Sequence, residues 1–159
     1  MTGWTEGDQA MMRAALAEAQ LAADKGEVPV GAIVVVANAI VGRGHNRSIE
    51  DNDPSAHAEI VALREAGRTQ KNHRLTGATM FVSLEPCAMC VGALVQARIS
   101  RLVFAAYDDK AGAMGSAIDL VAKRYLNHRI EVNGGLLAIE SSDMLQQFFA
   151  DQRAANSPD

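Results

Sequence analysis

Apolar positions along the chain fall into alternating helical and strand-like runs. Thr5 followed three residues later by Asp8 is a capping-box pair. The spacing behind it predicts a helix to about Lys25 that turns Met11, Ala14, Leu16, Ala17 and Leu21 toward the core. The unbroken apolar run of residues 30–36 predicts a buried strand, with Ala39 to Gly42 beginning its partner across a turn at Asn38. Asp53-Pro54-Ser55 announces a helix from about Ser55 to Gly67. Ala78 to Leu84 reads as a strand that runs into Pro86, a residue suited to opening a helix, which continues to about Arg98. Arg101 to Ala106 predicts a further strand and Tyr107 to Gly115 a loop. A short helix is expected over Ser116 to Arg124, a last strand at Ile130 to Val132, and a closing helix from Leu136 to Arg153. These elements predict an α/β fold, a three-layer α/β/α sandwich around a mixed five-stranded sheet. One domain is expected over residues 1–159, with its core at about 5–153.

Composition adds that the class is ordinary and globular: 48% of residues are hydrophobic and 21% charged. The longest apolar stretch, Ala32 to Gly42, is interrupted by Asn38 and is too short to span a bilayer. Met1 to Glu6 carry no cationic segment followed by an apolar run, so no signal peptide is expected. Net charge is −4, unevenly spread. Residues 1–60 hold four basic and nine acidic groups, 61–110 seven and four, and 111–159 four and six. The positive segment contains Arg64, Arg68, Lys71, Arg74, Arg98, Arg101 and Lys110. It reads equally as a local surface for a polyanion and as scattered solvated charge.

That segment also holds the two cysteines, in Pro86-Cys87-Ala88-Met89-Cys90, thirty residues after His57-Ala58-Glu59. Residues at i and i+3 share a helix face, so both sulfurs can reach one ion. A helix N-terminus favours the thiolate form that ligates metal. Cys-x-x-Cys alone also fits a thioredoxin-like redox pair, which has no use for a His-x-Glu at the start of another helix. Two thiolates and one imidazole make a three-ligand zinc site whose fourth position stays open for water. Reduced, metal-ready cysteines fit a cytoplasmic location. Together the two elements form the H-x-E…P-C-x-x-C signature of the zinc-dependent nucleobase deaminases. Periodicity does not say where Glu59 points.

Longer stretches sharpen the resemblance. Glu27-Val28-Pro29-Val30-Gly31-Ala32, Asp53 to Ile60, Ser83 to Cys87, Asp108 to Ala113 with Gly115-Ser116, Asn127-His128-Arg129, Gly134-Gly135-Leu136 and Phe148-Phe149 resemble the bacterial tRNA-specific adenosine deaminases, the TadA type. The resemblance runs from about Gln9 to Arg153. It implies a cytidine deaminase-like fold, one zinc per subunit on His57, Cys87 and Cys90, and Glu59 as the catalytic proton shuttle. It further implies Asn46 as a hydrogen-bonding partner of the target base and Val30 in the base pocket. Asp108 is expected near the ribose hydroxyls, with Phe149 and Arg153 near the anticodon loop.

The implied function is hydrolytic deamination of adenosine to inosine at the wobble position of tRNA anticodons, with arginine tRNA as the expected acceptor. The implied partner is the anticodon stem-loop, whose splayed bases are cheap to extrude. The implied assembly is a homodimer, without organic cofactor or membrane. The closing helix departs from the family's basic character and keeps Arg153 as its cation. Because the zinc signature does not specify substrate, a free nucleobase or nucleoside deaminase, such as one for guanine or cytosine, is the competing reading. A non-catalytic zinc-stabilised RNA-binding subunit is a third, against which Glu59 argues.

Overall fold

The computed structural model describes residues 3–122 and 127–157. Its elements are α1 (Glu6–Asp24), β1 (Gly31–Val36), β2 (Ala39–His45), α2 (Ala58–Gln70), β3 (Thr79–Leu84), α3 (Ala88–Gln96), β4 (Arg101–Ala106), β5 (Glu131–Gly134) and α4 (Ala138–Ala155). The strands form one five-stranded sheet in the order β2-β1-β3-β4-β5. β1 runs antiparallel to β2 and β3, whereas β3, β4 and β5 are mutually parallel, so the sheet is mixed as expected. Alternation along the strands feeds two apolar layers. Ala32, Val34, Met80, Val82, Leu102 and Phe104 pack with α2 and α3. Ile33, Val35, Phe81, Val103 and Ala105 pack with α1 and Met144 of α4. That is the three-layer sandwich.

Several local expectations hold for the reasons that suggested them. Thr5 Oγ1 accepts from Asp8 N at 2.9 Å while the Asp8 carboxylate accepts from Thr5 N, the reciprocal capping box. Asp8 also meets Arg101 at 3.0 Å, and that guanidinium holds its carboxyl below the usual range. Ala37 and Asn38 both take positive φ, 49° and 64°, as a two-residue turn matched to strand twist requires.

Others are corrected. The buried face of α1 is Met12, Ala15, Leu16, Ala19 and Ala22, whereas Ala17 and Leu21 are exposed and Met11 and Ala14 half-buried. The physical reason lies at Gly31, where a Cβ would sit 2.0 Å from Ala15 O and 2.4 Å from Ala19 N. The helix backbone rests directly on β1 through alanines, and a pattern weighted by larger side chains misses that face. α2 starts at Ala58 and runs through Gly67 to Gln70, because Lys71 supplies the left-handed cap at φ 52°. α3 begins at Ala88 and stops at Gln96. No helix forms over 116–122; turns and an isolated Met114–Asp119 bridge replace it, while Lys123 and Arg124 lie outside the described residues.

Gly31→Ala is therefore expected to destabilise the protein by about 1–3 kcal/mol through overpacking against backbone. That corresponds to a midpoint roughly 2–12 °C lower in thermal unfolding. Gly7→Ala serves as the contrast, since its Cβ would meet only Thr5 Oγ1 at 3.6 Å. That exchange should leave stability unchanged or raise it by about 0.5–1 kcal/mol. Equal effects at both positions would refute the close approach.

Candidate active site

The two motif elements meet at the C-terminal ends of the parallel strands, where α/β sheets carry their sites. His57 is the N-cap of α2 and Cys87 the N-cap of α3, and neither spends its side chain on its own helix. The capping of α2 comes from elsewhere: Asn46 Oδ1 accepts from Ala58 N at 2.9 Å. The imidazole is thereby left for other work. Its Nδ1 lies 3.6 Å from Cys87 Sγ and 3.6 Å from Cys90 Sγ, and the three donor atoms all fall within 4.8 Å of one another. This cluster is positioned to hold a metal ion.

Hydrogen bonds among the three groups shift their proton affinities. The Cys90 thiol and the His57 imidazole hold Cys87 down to about 3, as a thiolate. That thiolate, together with burial, pushes the Cys90 thiol far above its ordinary value. Loading a metal displaces such protons, so its affinity falls in acid.

Glu59 follows in the first turn of α2, buried to 4% exposure. Burial raises its pKa, opposed by its own backbone N–H and the Cys90 thiol. A buried carboxyl whose pKa is raised holds a proton more readily and can give one as well as take one. His57, Cys87, Glu59 and Asn46 line one cavity of roughly 170 Å³ together with Val28, Val30, Leu84, Glu85, Asp108 and Ala111.

The comparisons with known proteins meet this geometry. Residues 6–153 match the MafB19-like deaminases. The chain belongs to the MafB19-like deaminase family. It is 48% identical over 150 residues to a tRNA-specific adenosine deaminase of Haemophilus influenzae, covering 94% of this chain and 87% of that one. A solved structure from work on A-to-I editing by tRNA:A34 deaminases at the wobble position of transfer RNA superposes with a TM-score of 0.84. It is 40% identical and covers 86% of this chain and 99% of that chain. A guanine deaminase from Nitrosomonas europaea shares the fold at TM-score 0.75 and 26% identity, over 89% of this chain and 84% of its own.

In this deaminase the remaining candidates divide. Val30 and Asp108 lie at the cavity. Asp108 also stiffens its own loop, its Oδ1 accepting from Lys110 N and Ala111 N at 3.1 Å. Phe149 and Arg153 lie elsewhere, along a surface depression of α4 with Asp143 and Gln146. Within one chain they do not join the cavity. Arg101 leaves the candidate basic surface, engaged by Asp8 and Asn133. Arg64, Arg68 and Lys71 do share a groove beside α2 and α3.

Sequence reading missed two buried carboxylates that hold the cavity's flanking loops. Glu27 accepts from Ile49 N and Glu50 N, at 3.1 and 2.8 Å, in the segment between Asn46 and His57. Glu85 gathers the 108–116 loop. Glu85 directly follows the apolar strand β3, whereas Glu27 lies between α1 and β1 with no local pattern to mark it.

Proposed function

We propose that this chain hydrolyses adenosine to inosine at the wobble position of tRNA anticodons, arginine tRNA foremost. The carrying observation is one small cavity lined by His57 and Cys87 of the metal triad together with Glu59 and Asn46. Its volume, roughly 170 Å³, is well below the ~300–1,000 Å³ of drug-sized sites and suits a single extruded base. The similarity to tRNA-specific adenosine deaminases over most of both chains supports the substrate.

The proposed metal is zinc, one per chain. Tetrahedral zinc with ordinary bond lengths separates a nitrogen from a sulfur ligand by about 3.6 Å, the spacing found from His57 Nδ1 to each sulfur. Held by His57, Cys87 and Cys90, zinc would supply a bound water of near-neutral pKa as the nucleophile. Glu59 accepts that water's proton and passes it to the adenine ring nitrogen as carbon 6 is attacked. The same carboxylate then takes the proton of the hydroxyl newly bound to carbon 6 and hands it to the amine as the C–N bond breaks, so water and adenosine become inosine and ammonia. Asn46, its Oδ1 committed to Ala58 N, directs its amide N–H groups to the base.

The proposed assembly is a homodimer in the cytoplasm, needing no organic cofactor. A second subunit supplies what one chain lacks, bringing Phe149 and Arg153 toward the anticodon loop. Among the described residues no helix is long and apolar enough to cross a membrane.

The deciding experiment incubates the protein with an arginine-tRNA anticodon stem-loop and measures inosine after digestion to nucleosides. No inosine, with ready deamination of free guanine, would replace this reading by that of a base deaminase. Two variant classes then separate base reading from backbone attraction. Asn46→Asp keeps the acceptor that caps α2 and removes the amide donor; turnover should fall far more than stem-loop affinity. Neutralising Arg64 and Arg68 should instead weaken binding and flatten its dependence on salt by about 0.7 per lost phosphate contact. Asn46→Asp turning over normally would remove Asn46 from base recognition.

A further inference from the structure

Glu85 closes β3 with its side chain turned into the protein, 2% exposed, and no cation pairs with it among the described residues. Four donors from one loop meet its charge instead. Asp108 N and the Ser116 hydroxyl reach Oε1, while Met114 N and Ser116 N reach Oε2 at 3.0 and 3.2 Å. Both ends of the loop are thus tied to a single carboxylate. Its middle is pressed onto the same group: a Cβ on Gly112 would stand 2.5 Å from Glu85 Cδ and 2.5 Å from Asp108 O. Asp108 and Ala111, carried by this loop, line the cavity, and Glu85 borders it as well. The metal-binding side chains and Glu59 ride on the N-terminal turns of α2 and α3, not on this loop.

We infer that Glu85 is a positioning residue whose carboxylate sets the 108–116 loop as the wall against which the substrate base is seated. The inference rests on the adenosine deaminase reading for its substrate, and on the hydrogen bonds alone for its mechanism. A loop held by buried charge-assisted bonds arrives preorganised, so binding does not have to order it. Loosening it costs substrate affinity first and leaves the reacting groups in place.

Three changes disturb the same clamp from different sides. Glu85→Gln puts an NH2 group against backbone N–H donors. Ser116→Ala removes the hydroxyl at the loop's far end. Gly112→Ala drives a methyl group between the loop and the carboxylate. Each is expected to raise KM for the stem-loop by about tenfold, the effect of one or two hydrogen bonds, with kcat falling less than about threefold. Zinc content should stay at one per chain. The pair Glu85→Gln with Gly112→Ala should be clearly less than additive, because both act through one contact.

A fall in kcat at unchanged KM in Ser116→Ala and Gly112→Ala would overturn the positioning role, as would unchanged kinetics or strict additivity. Should Glu85→Gln lose zinc through its neighbour Cys87, those two variants decide the matter at an untouched metal site. Wild-type protein that ignores the stem-loop but deaminates guanine would refute the substrate reading alone. The same KM-against-kcat comparison on guanine would then judge the clamp.

Discussion

Glu59→Gln is expected to cut deamination by at least about 100- to 10,000-fold, the range lost with a positioned general acid–base. The upper end is favoured because one carboxyl serves the water, the ring nitrogen and the departing amine in turn. Glutamine keeps the shape and the hydrogen-bonding reach but carries no proton to trade. Metal should remain, since the clustered donor atoms are His57 Nδ1 and the two sulfurs. Stability should not suffer either. Burial raises the Glu59 pKa, so the folded chain holds that proton more tightly than the unfolded one. Above the unfolded value, ionising the buried carboxyl opposes folding, and the loss grows until the pH passes the folded value. Glutamine removes that opposition, and the metal-free variant should melt at or above the metal-free wild type at neutral pH. Inosine release, metal analysis and thermal melts test the three statements together. Near-normal turnover would remove Glu59 from the chemistry.

Cys87→Ala should lose both metal and activity. Disturbing a partner that merely orients a ligand typically costs 10- to 100-fold in metal affinity, about 1.4–2.7 kcal/mol, and deleting one of three ligands costs more. Without zinc the water keeps its bulk pKa near 15.7, so Glu59 has no activated nucleophile to deprotonate. Deamination should fall at least as far as in Glu59→Gln, but for a different reason that metal analysis reveals. After dialysis against a chelator, added zinc should restore the wild type and fail to restore Cys87→Ala. Zinc at one per chain in an active Cys87→Ala protein would dismiss the ligand assignment.

How far the molecule was legible from its residues varied with the range of the interactions involved. The strands at 31–36, 79–84 and 101–106 were readable because a strand buried on both faces must be apolar at every position. The capping box at Thr5 and Asp8 was readable because it is satisfied within four residues. The metal cluster was readable because few chemistries require His-x-Glu and Cys-x-x-Cys together. The face of α1 was misread, since an alanine surface becomes the buried one only where Gly31 lets two backbones touch. The helix expected at 116–124 failed over its described part because Ala117 N and Ile118 N bond back to Gly112 O and Leu120 N to Ala113 O, in place of the carbonyls four residues earlier.

By itself the sequence determined the α/β class, the elements of the sheet and the identity of the donor atoms, all set by local pattern and side-chain chemistry. Tertiary structure alone decided where those atoms point. Asn46 caps a helix twelve residues ahead and thereby leaves His57 Nδ1 to the two sulfurs, while Glu59 is turned inward beside them. It also decided which acids are structural, for Glu27 and Glu85 look like any solvated glutamate until the fold buries them against loop amides. A buried charge must find its partners in space, and no spacing along the chain records which amides will be there.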